Sequence, residues 1–328
     1  MKGVLVTVFF PNGSGNVGDE MNAWIWPHLL PGLDEEVALL GVGTLLNADF
    51  CKRLEDCSRV MVFGTGAGYG APPTIDSRWR FYAVRGARSC ARLGLDSDRA
   101  VADAAYLLGS LNWQRLPRER GRVFVIPHHR SLRLLDWSAL CEESGLTFLS
   151  PLLPAEEFFE QLISAELVLS EAMHGAILAD IARIPWRAFS FGRQFSFDKW
   201  LDWSEMLRID LTMLQIQGFY DPDFYLQSRS GIKHLSNAFK AKMATKGWGK
   251  EKWGRITPPG HPLPKARTAA IQALQALSKQ QGQLSRDNVF RDKVEELYGR
   301  LDQLRRDCGL STGSVLSGNP LALPGLSP

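Results

Sequence analysis

Short apolar runs alternate along the chain with longer stretches in which apolar positions recur at helical spacing. The runs are Val4 to Phe10, Val60 to Phe63, Phe81 to Val84, Val123 to Ile126, Thr147 to Leu149, Leu167 to Leu169 and Arg187 to Phe191. Such runs, bounded by Gly, Pro and polar turns, predict strands buried on both faces, and the stretches between them predict covering helices. This rhythm belongs to an α/β fold with parallel sheets. The segment Leu111 to Arg122, with Pro117 inside a cluster of charges, divides the runs into two groups and predicts a linker. Two α/β lobes facing each other across a cleft follow, one over residues 1–115 and one over 116–225.

Beyond Trp203 the pattern changes. Trp248, Trp253, Pro258, Pro259, Pro262 and Pro264 mark an irregular, basic, aromatic-rich stretch, suited to touching a sugar or lipid head group or to wrapping over the second lobe. From Lys265 to Asp307 the apolar stripes Ile271, Leu274, Leu277 and then Val294, Leu297, Leu301, Leu304 predict one or two amphipathic helices. They make a helical extension over 226–310, whose stripes serve core packing or self-association, with docking on a membrane surface as the alternative. The Ser, Gly and Pro content after Gly309 predicts a disordered tail over 311–328.

The 328 residues are 22% charged with a formal charge of +3, and no basic run is interleaved with aromatics, so nucleic acid is not an expected partner. Five scattered cysteines with no CxxC pair point to reduced thiols and against a zinc site. The opening strand reaches Pro11 too soon for a secretory signal, and no apolar run is long enough to cross a bilayer. A cytoplasmic protein is expected, at most peripheral to the inner face of the cell membrane.

The strand Leu167 to Leu169 hands His174 to the start of a helix that Pro185 closes. First-turn amides of a helix attract phosphate or carboxylate, and an adjacent imidazole can carry a proton; Gly175 is expected to leave open space beside it. The plainer alternative is a histidine that packs or caps the turn. Near the start, Asn16-Val-Gly18-Asp19-Glu20 is a glycine turn feeding a helix, able to present amides to an anion and carboxylates to hydroxyls, or simply to form a cap. Gly64 and Gly66, after another strand, suit a loop lining the cleft. Arg85 stands at a strand's carboxyl end with Arg88 nearby; it can clamp an anion or pair with a structural acid, and Asp103 is either the acid that orients it or a helix cap. His128 and His129, on extended backbone, are expected to point opposite ways, so that no metal pair forms and at most one faces the cleft.

Taken in order, Asn16-Val-Gly18-Asp19-Glu20, Gly64-Thr-Gly66, Arg85 with Ser89, Asp103, and Met173-His174-Gly175 with Pro185 resemble the motif series of the polysaccharide pyruvyl transferase family over about residues 4–195. The likeness is to the exopolysaccharide branch that builds the pyruvate ketals of succinoglycan and xanthan. It implies two Rossmann-like lobes similar to GT-B glycosyltransferases, phosphoenolpyruvate as donor and a hexose diol on a lipid-linked oligosaccharide as acceptor. No cofactor and no metal-ligating residues are identified in the sequence, and a divalent-ion requirement stays open. His174 and Arg85 match the family's donor-site histidine and arginine. Many relatives carry Arg two residues before that histidine, where this chain has Ala172, so that either another cation, Arg193 or Arg130, takes over the phosphate or the donor is bound differently. The expected site therefore has His174 with Asp19 or Glu20 as acid and base. Arg85, Arg88, Gly64, Gly66, Gly175, Arg130 and Arg193 would surround the donor, and Asn16, Gly18 and His128 the acceptor. A GT-B glycosyltransferase using a nucleotide sugar would share the lobes, the glycine turns and the cleft histidine, but no acid late in the second lobe stands out to bind a ribose. A non-catalytic scaffold is the third reading.

Overall fold

The computed structural model of the chain describes residues 16–34, 37–68, 70–110, 121–133, 135–191, 195–216 and 263–310. The expected strand Val4 to Phe10, most of the linker 111–122, the stretch holding Trp248 and Trp253, the tail 311–328 and Arg193 lie outside the described residues. Within them the protein is mixed α/β with two parallel sheets. The first has the order β1 (Val37–Leu40), β2 (Arg59–Phe63), β3 (Trp79–Ala83). The second is built from β4 (Val123–Ile126), β5 (Thr147–Phe148), β6 (Leu167–Ser170), β7 (Trp186–Ser190) and β8 (Met213–Gln215), in the order β5-β4-β6-β7-β8. All neighbours in both sheets run parallel, and β1 and β6 are buried at every position, as expected of strands covered on both faces.

The helices are α1 (Val17–Leu29), α2 (Ala48–Cys51), α3 (Ala87–Leu93), α4 (Trp137–Ser144), α5 (Ala155–Leu162), α6 (Met173–Ile181), α7 (Phe197–Ser204), α8 (Leu263–Ser278) and α9 (Asp287–Asp307). Asn16 caps α1: its side-chain oxygen accepts from the Gly18 and Asp19 amides at 3.1 and 3.4 Å. Asn22, fully buried, pins α1 to the end of β1, accepting from the Val42 amide at 2.7 Å and donating to the Val42 carbonyl at 2.9 Å. On its other side α1 meets the second sheet's helices, through Trp24 against Phe159 and a 2.9 Å bond from the Val17 amide to the Pro151 carbonyl. One apolar cluster accordingly runs from Leu39 and Phe63 of the first sheet through α1 to Phe124 and Val168 of the second. The helical stretch expected from Lys265 to Asp307 is two helices, α8 beginning at Leu263 so that Pro264 lies in its first turn.

Asp180, near the end of α6, accepts from Tyr106 Oη at 2.9 Å, the Ser285 amide at 2.7 Å and Ser285 Oγ at 2.6 Å, and Trp203 Nε1 donates to Tyr106 Oη at 3.1 Å. This buried network ties α6 and α7 to the 3₁₀ turn Ala104–Ser110 and to the start of α9.

Candidate active site

Chain order and space order part company at β4 in the second sheet: β5 lies on one side of it and β6 on the other. A crevice opens outside the carboxyl ends of strands at such a switch point, where ligands of α/β sheets bind. A cavity of about 340 Å³ lies there. His128, His129 and Arg130 after β4 line it, as do Glu171, Ala172, Met173 and His174 after β6. The start of α1 supplies Asn16 and Asp19, the loop after β1 supplies Gly43 and Thr44, and α7 supplies Lys199 and Trp200.

His174 is the second residue of α6, as the handover from strand to helix predicts, and is 9% exposed. Its Nε2 lies 3.5 Å from Asp103 Oδ2, and both atoms are buried without a hydrogen-bond partner. The separation is slightly longer than a hydrogen bond. The other carboxylate oxygen of Asp103 accepts from the Ala105 amide at 3.0 Å, so the residue both caps the Ala104–Ser110 turn and faces the imidazole. The acid expected beside Arg85 thus stands beside His174. Across the ring, a methyl group on Gly18 would fall 2.0 Å from Nδ1, so α1 approaches the imidazole as closely as only a glycine allows. Gly175 is likewise a close-packing position: a Cβ there would meet Ser170 Oγ at 2.4 Å, and the open space expected beside the imidazole is filled by β6. Helix α6 has no side-chain cap at Ala172.

Asp19 accepts from Asn16 Nδ2 at 2.8 Å, and burial raises its pKa above the ordinary carboxylate value, against the opposing pull of His174, Lys199 and Asn16. Glu20 sits next to it on α1 but does not line the cavity. His128 and His129 both do, with ring centroids 4.2 Å apart, contrary to the expectation of opposed side chains. The backbone has already left the strand for a turn, in which the Arg130 amide donates to His128 Nδ1 at 3.3 Å. Burial, then the neighbouring His129, Lys199 and Arg130, push the His128 pKa down to about 2, and burial with Arg130 and Lys199 pushes His129 down to about 4. Glu171, 2% exposed, fastens this corner, accepting from the His128 amide and the Phe191 amide at 2.9 Å each.

Arg85 is fully buried and does not line the cavity. Its Nε donates to Asp202 of α7 at 3.0 Å, and its Nη1 donates to the Gly43 carbonyl at 3.2 Å and Thr44 Oγ1 at 3.0 Å, which places it behind the cavity wall. Gly66 lets the guanidinium pass, since a Cβ there would meet Nη2 at 2.1 Å. Gly64, at φ +76°, lets β2's exit press on Ala104. The 64–66 loop does not line that cavity; it supports the wall that does, with Thr65 Oγ1 accepting from the Leu45 amide at 3.1 Å. Arg88 lies on the surface, its Nη2 2.7 Å from Glu205.

The sequence reading passed over Lys199, Thr44 and Glu171. Strand β1 followed by Gly41 and Gly43 repeats the strand-then-glycine signal that singled out Gly64, and would have led to Thr44. Lys199 lies on α7 beyond the carboxyl end of β7, a strand-end placement of the kind by which Arg85 is singled out in the other sheet. Among the described residues no cluster of His, Cys, Asp and Glu can hold a metal ion, and no helix is long and apolar enough to cross a membrane. All five cysteines are free thiols.

The family model described as polysaccharide pyruvyl transferase matches residues 58–192, a stretch that holds Asp103, His128 and His174. The chain is 30% identical over 318 residues to the succinoglycan biosynthesis protein ExoV of Rhizobium meliloti (strain 1021), an alignment covering 91% of this chain and 98% of that protein. No solved structure matches. With a relative at that identity aligned over nearly its whole length, and the family's stretch coinciding with the strands and turns that carry the cavity's histidines, the chain belongs to the polysaccharide pyruvyl transferase family.

Proposed function

We propose that the protein transfers the enolpyruvyl group of phosphoenolpyruvate to a hexose diol of a lipid-linked exopolysaccharide repeat unit, forming a pyruvate ketal and releasing phosphate. In this reading the two sheets form two Rossmann-like lobes in a GT-B-like arrangement, with the cavity as the cleft and the lobes dividing near residue 115. The observation that carries the proposal is the meeting of His174, Asp19, Lys199 and Arg130 in one cavity. The pairing of His174 with Asp103 supports its use as a proton carrier.

The chemistry needs a proton delivered to the methylene carbon, which turns the neighbouring carbon into a cationic centre. Two sugar hydroxyls add to that centre, each losing its proton, and the carbon–oxygen bond to phosphate breaks. One of the two protons restores the one spent on the new methyl group and the other leaves with phosphate. His174 is the donor in this scheme, with Asp103 holding the imidazolium. Asp19, its pKa raised, accepts from an acceptor hydroxyl held beside Asn16. Lys199 and Arg130 offset the donor's negative charge. Arg85 and Arg88 are outside this scheme, the first as a support for the Gly43–Thr44 wall.

Purified protein incubated with phosphoenolpyruvate and lipid-linked glycan should yield a pyruvate adduct by mass spectrometry together with free phosphate. Gain of a hexose from a nucleotide sugar, without that adduct, would replace this reading with glycosyl transfer.

A further inference from the structure

The turn after β4 gathers an unusual set of groups. His128, His129 and Arg130 follow one another, the two imidazoles lie 4.2 Å apart, and all three side chains line the cavity with Lys199 of α7. Around them stand Glu171, which binds the His128 amide, His174 on α6 and Asp19 on α1. Arg130 and Lys199 are basic side chains, and each imidazole faces a second imidazole or both of these groups. A pair placed this way resists protonation while the cavity lacks an anion, and accepts it once negative charge arrives to offset the repulsion.

We infer that the His128-His129-Arg130 turn and Lys199 form a subsite for a tetrahedral dianion, and that the imidazole pair takes one proton from solvent as the dianion binds. The identity of that dianion rests on the reading above: it is the phosphate of the donor, and after transfer the released phosphate. The depressed pKa values of both histidines agree with the geometry, because burial and the neighbouring basic groups hold the imidazoles neutral at physiological pH. Binding is thereby coupled to pH through residues that take no part in transferring protons to the substrate. The backbone bond from His128 to Glu171 fixes the turn, so the subsite is preformed.

Sulfate is the probe, since it stays a dianion throughout the range of interest and any pH dependence must come from the protein. Calorimetric titration of the full chain should show sulfate binding that tightens about tenfold between about pH 8 and about pH 5.5, the gain expected from one coupled proton. The double substitution His128→Gln with His129→Gln should remove that gain, so that sulfate binds no more tightly at about pH 5.5 than at about pH 8. Lys199→Met should weaken binding at both pH values, with thermal melting confirming that each variant is folded. Equal sulfate affinity at the two pH values, no measurable binding, or a gain that survives the double substitution would overturn the inference. Pyruvyl transfer without pH-coupled sulfate binding would remove the subsite alone, whereas coupled binding without transfer would remove only the functional reading.

Discussion

His174 with Asp103 and Arg85 with Asp202 are both buried pairs of a base and an acid, and they are finished differently. Asp202 accepts from Arg85 Nε, from the Ser89 amide at 2.9 Å and from Ser89 Oγ at 2.6 Å, and neither Arg85 nor Asp202 lines the cavity beside His174. It locks α7 against the start of α3 and props the Gly43–Thr44 wall. The facing atoms of His174 and Asp103 are left without partners, at the edge of a cavity lined with further charges. Arg85 Nη2 is also buried without a partner, so the contrast lies in the facing atoms: those of Arg85 and Asp202 are already bonded to each other and hold backbone together, whereas those of His174 and Asp103 are unpaired beside a cavity and free to take up a new partner.

The comparison breaks most readily at its largest effects. His174→Gln should lower turnover by about 10²–10⁴-fold while moving the urea midpoint little. Asp202→Ala should leave a buried guanidinium uncompensated and cost about 3–5 kcal/mol of stability. If the first variant unfolded and the second remained as stable as wild type, the roles would have to be exchanged. Gly18→Ala comes next: its methyl would lie 2.0 Å from His174 Nδ1, so the ring must shift. A stability loss of about 1–3 kcal/mol is expected from overpacking, together with a fall in kcat larger than the change in KM. Wild-type turnover in that variant would show that ring placement is not what α1 controls.

Titration sharpens the contrast further. His128 and His129 have pKa values below the ordinary imidazole value, so the unfolded chain binds their protons more tightly than the fold does. Their contribution to stability is intact above about pH 6.5 and drains away as pH falls toward about 4 and then about 2. The slope is at most about 1.4 kcal/mol per pH unit for each proton, and denaturation curves of the double glutamine variant should be flatter there. Asp19 runs the other way, because its raised pKa makes the ionised form unfavourable in the fold once pH rises above the unfolded value. Asp19→Asn should therefore be no less stable than wild type at neutral pH while losing activity. Smallest of all is Arg88→Ala, where a half-exposed ion pair with Glu205 is removed: a change within about 1 kcal/mol and unaltered kinetics.

Much of the architecture could be read from the chain because β2, β4, β6 and β7 are buried on both faces and so appear as plain apolar runs. Strand β1, Val37-Ala-Leu-Leu, has the composition of a helix as much as of a strand, and β8 is a partly exposed edge with no apolar run, so neither stood out. His174 was legible because its helix begins where the strand's apolar run stops. The partner of Arg85 was not, since Asp202 lies 117 residues away and only the packing of α7 brings it in. Nor was the joint orientation of His128 and His129, which depends on where β4 gives way to a turn, a matter of backbone angles that residue types leave open.

Helix α9 supplies Leu297, Leu301 and Leu304 to the main apolar cluster, and its Tyr298 donates to the Leu107 carbonyl beside the segment that presents Asp103. Arg305 reaches back across 276 residues to the Leu29 carbonyl at the end of α1. At a synthesis rate of about 5–20 residues per second, those two ends meet on the order of a quarter of a minute to a minute after the first has left the ribosome. For that interval the nascent chain carries apolar surface that α9 will later cover, surface of the kind that makes incomplete chains prone to aggregate.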